Sequence, residues 1–271
     1  MTAWCVSVGI LLVGLVPGWA QFDGPSSPGV SVSLIRLFGT NFAFTARVEY
    51  QLLNRSNKEL VNLPMSLARL DNRICMELDL ARMRNQVQPD ALAQIKPLGM
   101  EQLITILRPD LRATCQIFPR LRAFVKLPMP PNEAEAFAKP GKMERTRLGQ
   151  EKMQGFDCTR YRVVATDEQG GRHEATVWNA TGLRDFPLCV ATREGQETVV
   201  MRFSQIQFVR PDSAKFEPPA GYVEYADMGA LINGPAQKYL TANKTAMPAP
   251  GKGSTSSTKP KPAPGTSTRK K

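Results

Sequence analysis

Histidine is nearly absent from this chain: among 271 residues there is one, His173. A zinc site built on His and Cys is therefore hard to assemble, and no CxxC or CxxH pair occurs. A Ser/His/Asp or Cys/His catalytic site would have to use that one imidazole. His173 follows the turn residues Gly170-Gly171 at a strand start, an exposed hairpin corner, and no GxSxG elbow accompanies it. Phosphate-binding loops are missing too: there is no GxxxxGK[ST] and no GxGxxG. Paired carboxylates occur at Glu133/Glu135, in a linker between prolines, and at Asp167/Glu168, in a hairpin turn. Both pairs read as solvated surface, not as an acid/base pair held across a cleft. "RLDNR" and "ELDL" are too thin in Asp, Asn and Gly for calcium. The reading is a non-enzymatic protein with no catalytic residue, no metal and no cofactor.

Long apolar runs are also scarce. The one near the start, Trp4 to Val16 in "MTAWCVSVGILLVGLVPGWAQFDGP", is shorter than the ~20 residues that span a bilayer. Small residues at 18 and 20 ahead of Gln21 fit signal-peptidase cleavage after Ala20, although no Lys or Arg precedes the run. Residues 1–20 are thus expected to be a signal peptide and the mature protein to be exported, periplasmic or secreted. Acid is what the C-terminus lacks. Residues 244–271 carry Lys244, Lys252, Lys259, Lys261, Arg269, Lys270 and Lys271 with no Asp or Glu, so +7 of the net +11 sits there. With no aromatic residue to stack on bases, this tail does not point to specific nucleic-acid binding. Rich in Pro, Ser, Thr and Lys, residues 243–271 read as a disordered basic tail. Lys259, Lys261, Arg269, Lys270 and Lys271 are its candidates for touching anionic envelope polymers or lipid headgroups.

What is present is period two. After a linker over 21–39, "NFAFTARVEYQLL" sets Phe42, Phe44, Ala46, Val48, Tyr50 and Leu52 on one face, with Thr45, Arg47, Glu49 and Gln51 on the other. "MSLARLDNRICMELDL" reads as two strands around the turn Asp71-Asn72. Pro89 and Pro97 bracket a short helix. Strands resume through "EQLITILRPDLRATCQIFPRLRAFVKLP". Five more follow in "RTRLGQEKMQG", "FDCTRYRVVATD", "GRHEATVWNA", "PLCVATRE" and "ETVVMRFSQIQFV". "FEPPAGY" closes the sheet, and "YADMGALINGPAQKYL" offers a last short helix interrupted at Gly234-Pro235. About ten strands with few helices make one mainly β domain over 40–242. Its sheet must curl or close to manage its edges. A strongly curved antiparallel half-barrel, with one or two helices on its concave face, is the expected architecture.

Once the first twenty residues are removed, four cysteines remain: Cys75, Cys115, Cys158 and Cys189. In an exported chain these read as disulfides, and three pairings are open. Sequons stand at Asn54, Asn179 and Asn243 and matter only in a eukaryotic secretory route. The apolar face of the curved sheet is the remaining candidate surface. Phe44, Val48, Tyr50, Leu52, Met76, Leu78, Ile106, Tyr161 and Trp178 are its candidates for lining a site for a lipid or acyl chain.

In their order and spacing, "RLDNRICMELD", "TILRPD" with "CQIFPRLRAFVKLP", "RLGQEKMQGFDCTRYRV", "ATVWNATGLRDFPL" and "FEPPAGY" resemble the outer-membrane lipoprotein carrier (LolA/LolB-like) half-barrel superfamily. The likeness is closest to its exported bacterial branch and covers roughly residues 40–225. It implies an eleven-strand-like antiparallel half-barrel with helices over the open side, and binding of acyl chains or lipoproteins. The chain departs from the carriers in its four cysteines and its basic tail. Within that strand order the expected disulfides are 75–115 and 158–189. The second works only if Cys158 lies past the end of the strand that finishes near Trp178, since two strand spacings leave roughly 10 Å. The alternative function is a structural or interaction protein of the cell envelope, with a solid core and the tail making the contacts.

Overall fold

The computed structural model describes residues 37–39, 41–84, 93–131, 134, 142–166 and 172–246. The expected signal peptide, the Pro89 end of the first helix, both paired carboxylates, the Gly170-Gly171 turn and the tail from 247 onward lie outside them.

Within them the chain forms one twelve-stranded sheet. A first meander runs through β1 (Ala43–Leu53), β2 (Glu59–Leu70), β3 (Arg73–Asp79), β4 (Gln102–Arg108), β5 (Ala113–Phe118) and β6 (Ala123–Pro128). A second runs through β7 (Lys142–Met153), β8 (Phe156–Thr166), β9 (Arg172–Ala180), β10 (Phe186–Glu194) and β11 (Glu197–Gln207). Antiparallel pairing of β1 with β11 joins the two. A short β12 (Val223–Tyr225) adds in parallel beside β6, so the spatial order is 12-6-5-4-3-2-1-11-10-9-8-7. The expected curved half-barrel is present. Its sheet differs from the expectation in being mixed, through β12.

Three of the hairpins share a device. Pro109–Leu111, Pro119–Leu121 and Thr181–Leu183 each form a single 3-10 turn closed by an arginine in the left-handed region: Arg112 (φ 49°), Arg122 (φ 48°) and Arg184 (φ 54°). The prolines of the first two preset φ for the turn, and the fourth residue turns the chain back. An L-residue pays for that conformation, so the closure is imposed by the strand pairing on either side.

Period-two alternation sends the side chains to two cores. The larger lies on the concave face and centres on Phe38, Phe44, Phe186 and Phe203, whose rings pack at 4.8–5.8 Å. Leu37 and Phe38, placed by sequence in the linker, belong to this core. The smaller core is on the convex face: Leu70, Cys75, Ile106, Cys115, Ile117 and Phe124 beneath Phe216. Phe216 is held there by the segment that contains "FEPPAGY". Arg108, itself buried, donates to the Phe216 carbonyl and the Glu217 carboxylate and pairs with Asp110, while Lys215 pairs with Glu77. That segment closes the sheet from outside.

The concave side is covered by α1 (Met228–Leu231), a π turn over Ile232–Ala236 that contains Pro235, and α2 (Gln237–Ala246). Leu231, Ile232 and Ala236 enter the larger core. The Arg120 guanidinium ties α2 down by donating to the Tyr239 hydroxyl and pairing at 2.7 Å with the buried Glu101 carboxylate. The break expected at Gly234-Pro235 is this π turn: Pro235 lacks an N–H, and the chain accommodates it by widening the helix.

Candidate functional site: the concave face

Antiparallel partners share a face of the sheet, so the register gives the lining of the concave side directly. One row reads Tyr50, Met201, Val190, Val177, Tyr161 from β1 to β8, and the next reads Leu52, Val199, Thr192, Ala175, Val163. On the other side of β1, Ala46 and Val48 continue through Leu67 and Met65 to Met76 and Leu78. The face is apolar over at least seven strands.

The nine proposed lining residues separate into three groups. Phe44, Val48 and Tyr50 are buried at 0%, 2% and 7% exposure and form a solid floor. Leu52, Met76, Leu78 and Tyr161 pack against that floor while staying half-buried, so their outer surfaces are accessible on the concave side. Ile106 is corrected. Ile106 pairs with Cys75 and Cys115 and belongs to the convex core, because its neighbour Leu107 takes the inward position. Trp178, like Leu52, is half-buried against the larger core, and its indole N–H donates to the Glu151 carboxylate at 2.6 Å. Arg160 meets the same carboxylate. Glu151 is the acceptor that orients this tryptophan.

The disulfides are corrected as well: Cys75, Cys115, Cys158 and Cys189 are free, buried thiols. Cys75, Ile106 and Cys115 lie in one row across β3, β4 and β5, so a whole strand stands between the two sulfurs. Cys158 pairs with Ala180 of β9, and Cys189 pairs with Trp178 on the other side of β9. Two strand spacings of about 4.8 Å exceed disulfide reach. Burial pushes the Cys75 thiol up to about 12, with Glu77 adding to it, and pushes Cys189 up to about 11. Burial raises Cys115 and Cys158 also. None has the low-pKa setting of a reactive thiol. The sequon at Asn179 is closed: its side chain is 1% exposed and donates to the Asp185 carbonyl.

Two features of the face were not read from sequence. Arg69 lies beside Phe44 at the floor's aromatic end, 2% exposed, its guanidinium over the rings of Phe38 and Phe42 and donating to the Asp71 carbonyl. Burial pulls it down to about 10, against the pull of Asp71. The second is the end of the apolar rows. On β7, Tyr161 and Val163 pair with Arg147 and Arg145, and both arginines are exposed. "KMERTR" alternates Met143, Arg145, Arg147 against Glu144 and Thr146, a signal available once β7 is known to start at Lys142.

Among the described residues no helix is long and apolar enough to cross a membrane, and no group of three or more His, Cys, Asp or Glu could hold a metal.

No protein-family model and no curated protein sequence matches the chain. Solved structures do. One is a LolA superfamily protein from Nitrosomonas europaea, at 10% identity over 70% of this chain and 96% of that one, TM-score 0.35. Another is the lipoprotein LppX of Mycobacterium tuberculosis, at 11% identity over 65% and 94%, TM-score 0.36. A third is the MucA/MucB complex of Pseudomonas aeruginosa, at 12% identity over 70% and 61%, TM-score 0.35. The half-barrel form expected from the motifs is the one the strand order describes, and a LolA superfamily structure is among those it is similar to. At such identities and scores the likeness says nothing of ligand or partner.

Proposed function

We propose that this is an exported, non-enzymatic binding protein that takes an apolar chain, the acyl chain of a lipid or lipoprotein, on the concave face of its half-barrel. One observation carries the reading: Leu52, Met76, Leu78 and Tyr161 are only partly buried on a face whose floor is already packed. A sheet that needed only a core would gain by burying them, whereas an apolar ligand gains about 25 cal/mol for each Å² it covers there. Export rests on the apolar run and small residues before Gln21. A role for the basic tail on anionic surfaces rests on its composition alone.

The test is extraction of the purified full chain followed by mass spectrometry, with titration by a neutral monoacylglycerol. Recovery of acyl-bearing molecules is expected. Met76→Asn combined with Leu78→Asn should weaken uptake by on the order of tenfold, because each removes roughly half a buried side chain's contact. Repeated preparations free of lipid, with no saturable uptake by the native protein, would overturn the reading. They would favour the alternative, an envelope interaction protein with a solid core.

A further inference from the structure

We propose that the concave face is built for an anionic amphiphile, and that Arg145 and Arg147 on the edge strand β7 hold its headgroup while the acyl chain lies along the apolar rows. This rests on the proposed function and adds the charge and the direction of the ligand.

The register fixes the placement. Arg147 continues the row Tyr50, Met201, Val190, Val177, Tyr161, and Arg145 continues the row Leu52, Val199, Thr192, Ala175, Val163. Among the described residues β7 is the last strand of the sheet on this side, so both rows end there in a guanidinium. Two positions apart on one strand, the side chains start about 7 Å from each other and can close on one headgroup. The carboxylates of β7 are already engaged: Glu144, on the face opposite Arg145, is taken by Lys142, and Glu151 by Trp178 with Arg160. Among the described residues neither Arg145 nor Arg147 has an ion-pair partner. Met143, the remaining inward side chain before the bulge at Leu148, pairs with Ala165, next to His173.

Charges on an edge strand also guard against edge-to-edge pairing. Guarding needs charge on the strand; it does not need both cations on the one face that carries the apolar rows. A guanidinium pair in that position matches a phosphate, whose oxygens accept from planar N–H forks. The chemistry is an acyl chain on a phosphate head.

The experiment compares three compounds on the full chain by calorimetric titration: oleoyl lysophosphatidate, monooleoylglycerol and inorganic phosphate. Native protein should bind the lysophosphatidate roughly five- to tenfold more tightly than the neutral glyceride, as two exposed charge pairs allow, and free phosphate far more weakly than either. Arg145→Gln with Arg147→Gln should abolish that preference, the lysophosphatidate affinity falling to that of the glyceride. Arg162→Gln, exposed one residue from Tyr161 on the opposite face, should keep the preference. Equal binding of the two lipids by native protein, or loss of preference in Arg162→Gln as well, overturns the proposal while leaving the acyl-binding reading intact. Absence of binding by both lipids overturns both.

Discussion

Burying a thiol in its neutral form ties stability to pH from the alkaline side. Cys75 is held at about 12 and Cys189 at about 11, against an ordinary value of 9.0, chiefly by burial. Their folded values lie above their unfolded ones, so the stability they lend is complete below pH 9. It is lost as pH rises toward 11 and 12, because only the unfolded chain ionises there. Native protein should lose up to about 1.4 kcal/mol per pH unit for each such thiol across that window. Cys75→Ala with Cys189→Ala should show a shallower alkaline limb in urea unfolding from pH 9 upward. Parallel limbs for the two proteins would show that these thiols do not carry the dependence. Four separated cysteines read from sequence as half-cystines because spacing carries no strand order. Ile106 between Cys75 and Cys115, and β9 between Cys158 and Cys189, are facts of pairing that spacing does not contain.

At the scale of elements, the covering helix depends on one glycine. Gly99 has φ +71°, and a Cβ there would stand 2.9 Å from the Tyr239 ring and 3.1 Å from Leu121. Tyr239 is the residue by which α2 sits on the sheet, so Gly99→Ala strains the backbone and pushes the helix outward together. A loss of roughly 1–3 kcal/mol is expected, with faster proteolysis inside α2. An unchanged thermal midpoint and an unchanged cleavage pattern would count against this docking. The strands themselves were legible: "NFAFTARVEYQLL" is β1, the Asp71-Asn72 turn joins β2 to β3, and the last five segments are β7 to β11. The three hairpins closed by a left-handed arginine were visible as Pro-Asp-Leu-Arg, Pro-Arg-Leu-Arg and Thr-Gly-Leu-Arg. Nothing in the residue type announces that conformation, since arginine adopts it only when the flanking strands demand it.

For the whole molecule, the pairing of β1 with β11 decides how the two meanders behave. It joins residues about 150 positions apart, and Phe44, Phe186 and Phe203 pack across it. Each meander alone would expose one long apolar flank, so the halves are expected to unfold together. Trp178, the only tryptophan after Trp19, reports β9, whereas far-ultraviolet circular dichroism reports all strands. Their denaturant midpoints should coincide. A fluorescence transition clearly ahead of the dichroism would show that the β7–β11 half opens by itself.

Period two is a property of consecutive residues, so the sequence alone determined that this chain makes strands, which side chains within a strand go together, and that a long sheet must curve. It also determined that most of the named apolar residues would lie inside. Which face each strand turns inward was decided by the tertiary structure, because it depends on partners far along the chain. A single neighbour, Leu107, taking the inward place sent Ile106 outside. The same long-range register put Arg145 and Arg147 at the end of apolar rows that begin on β1, a neighbourhood that no stretch of sequence contains.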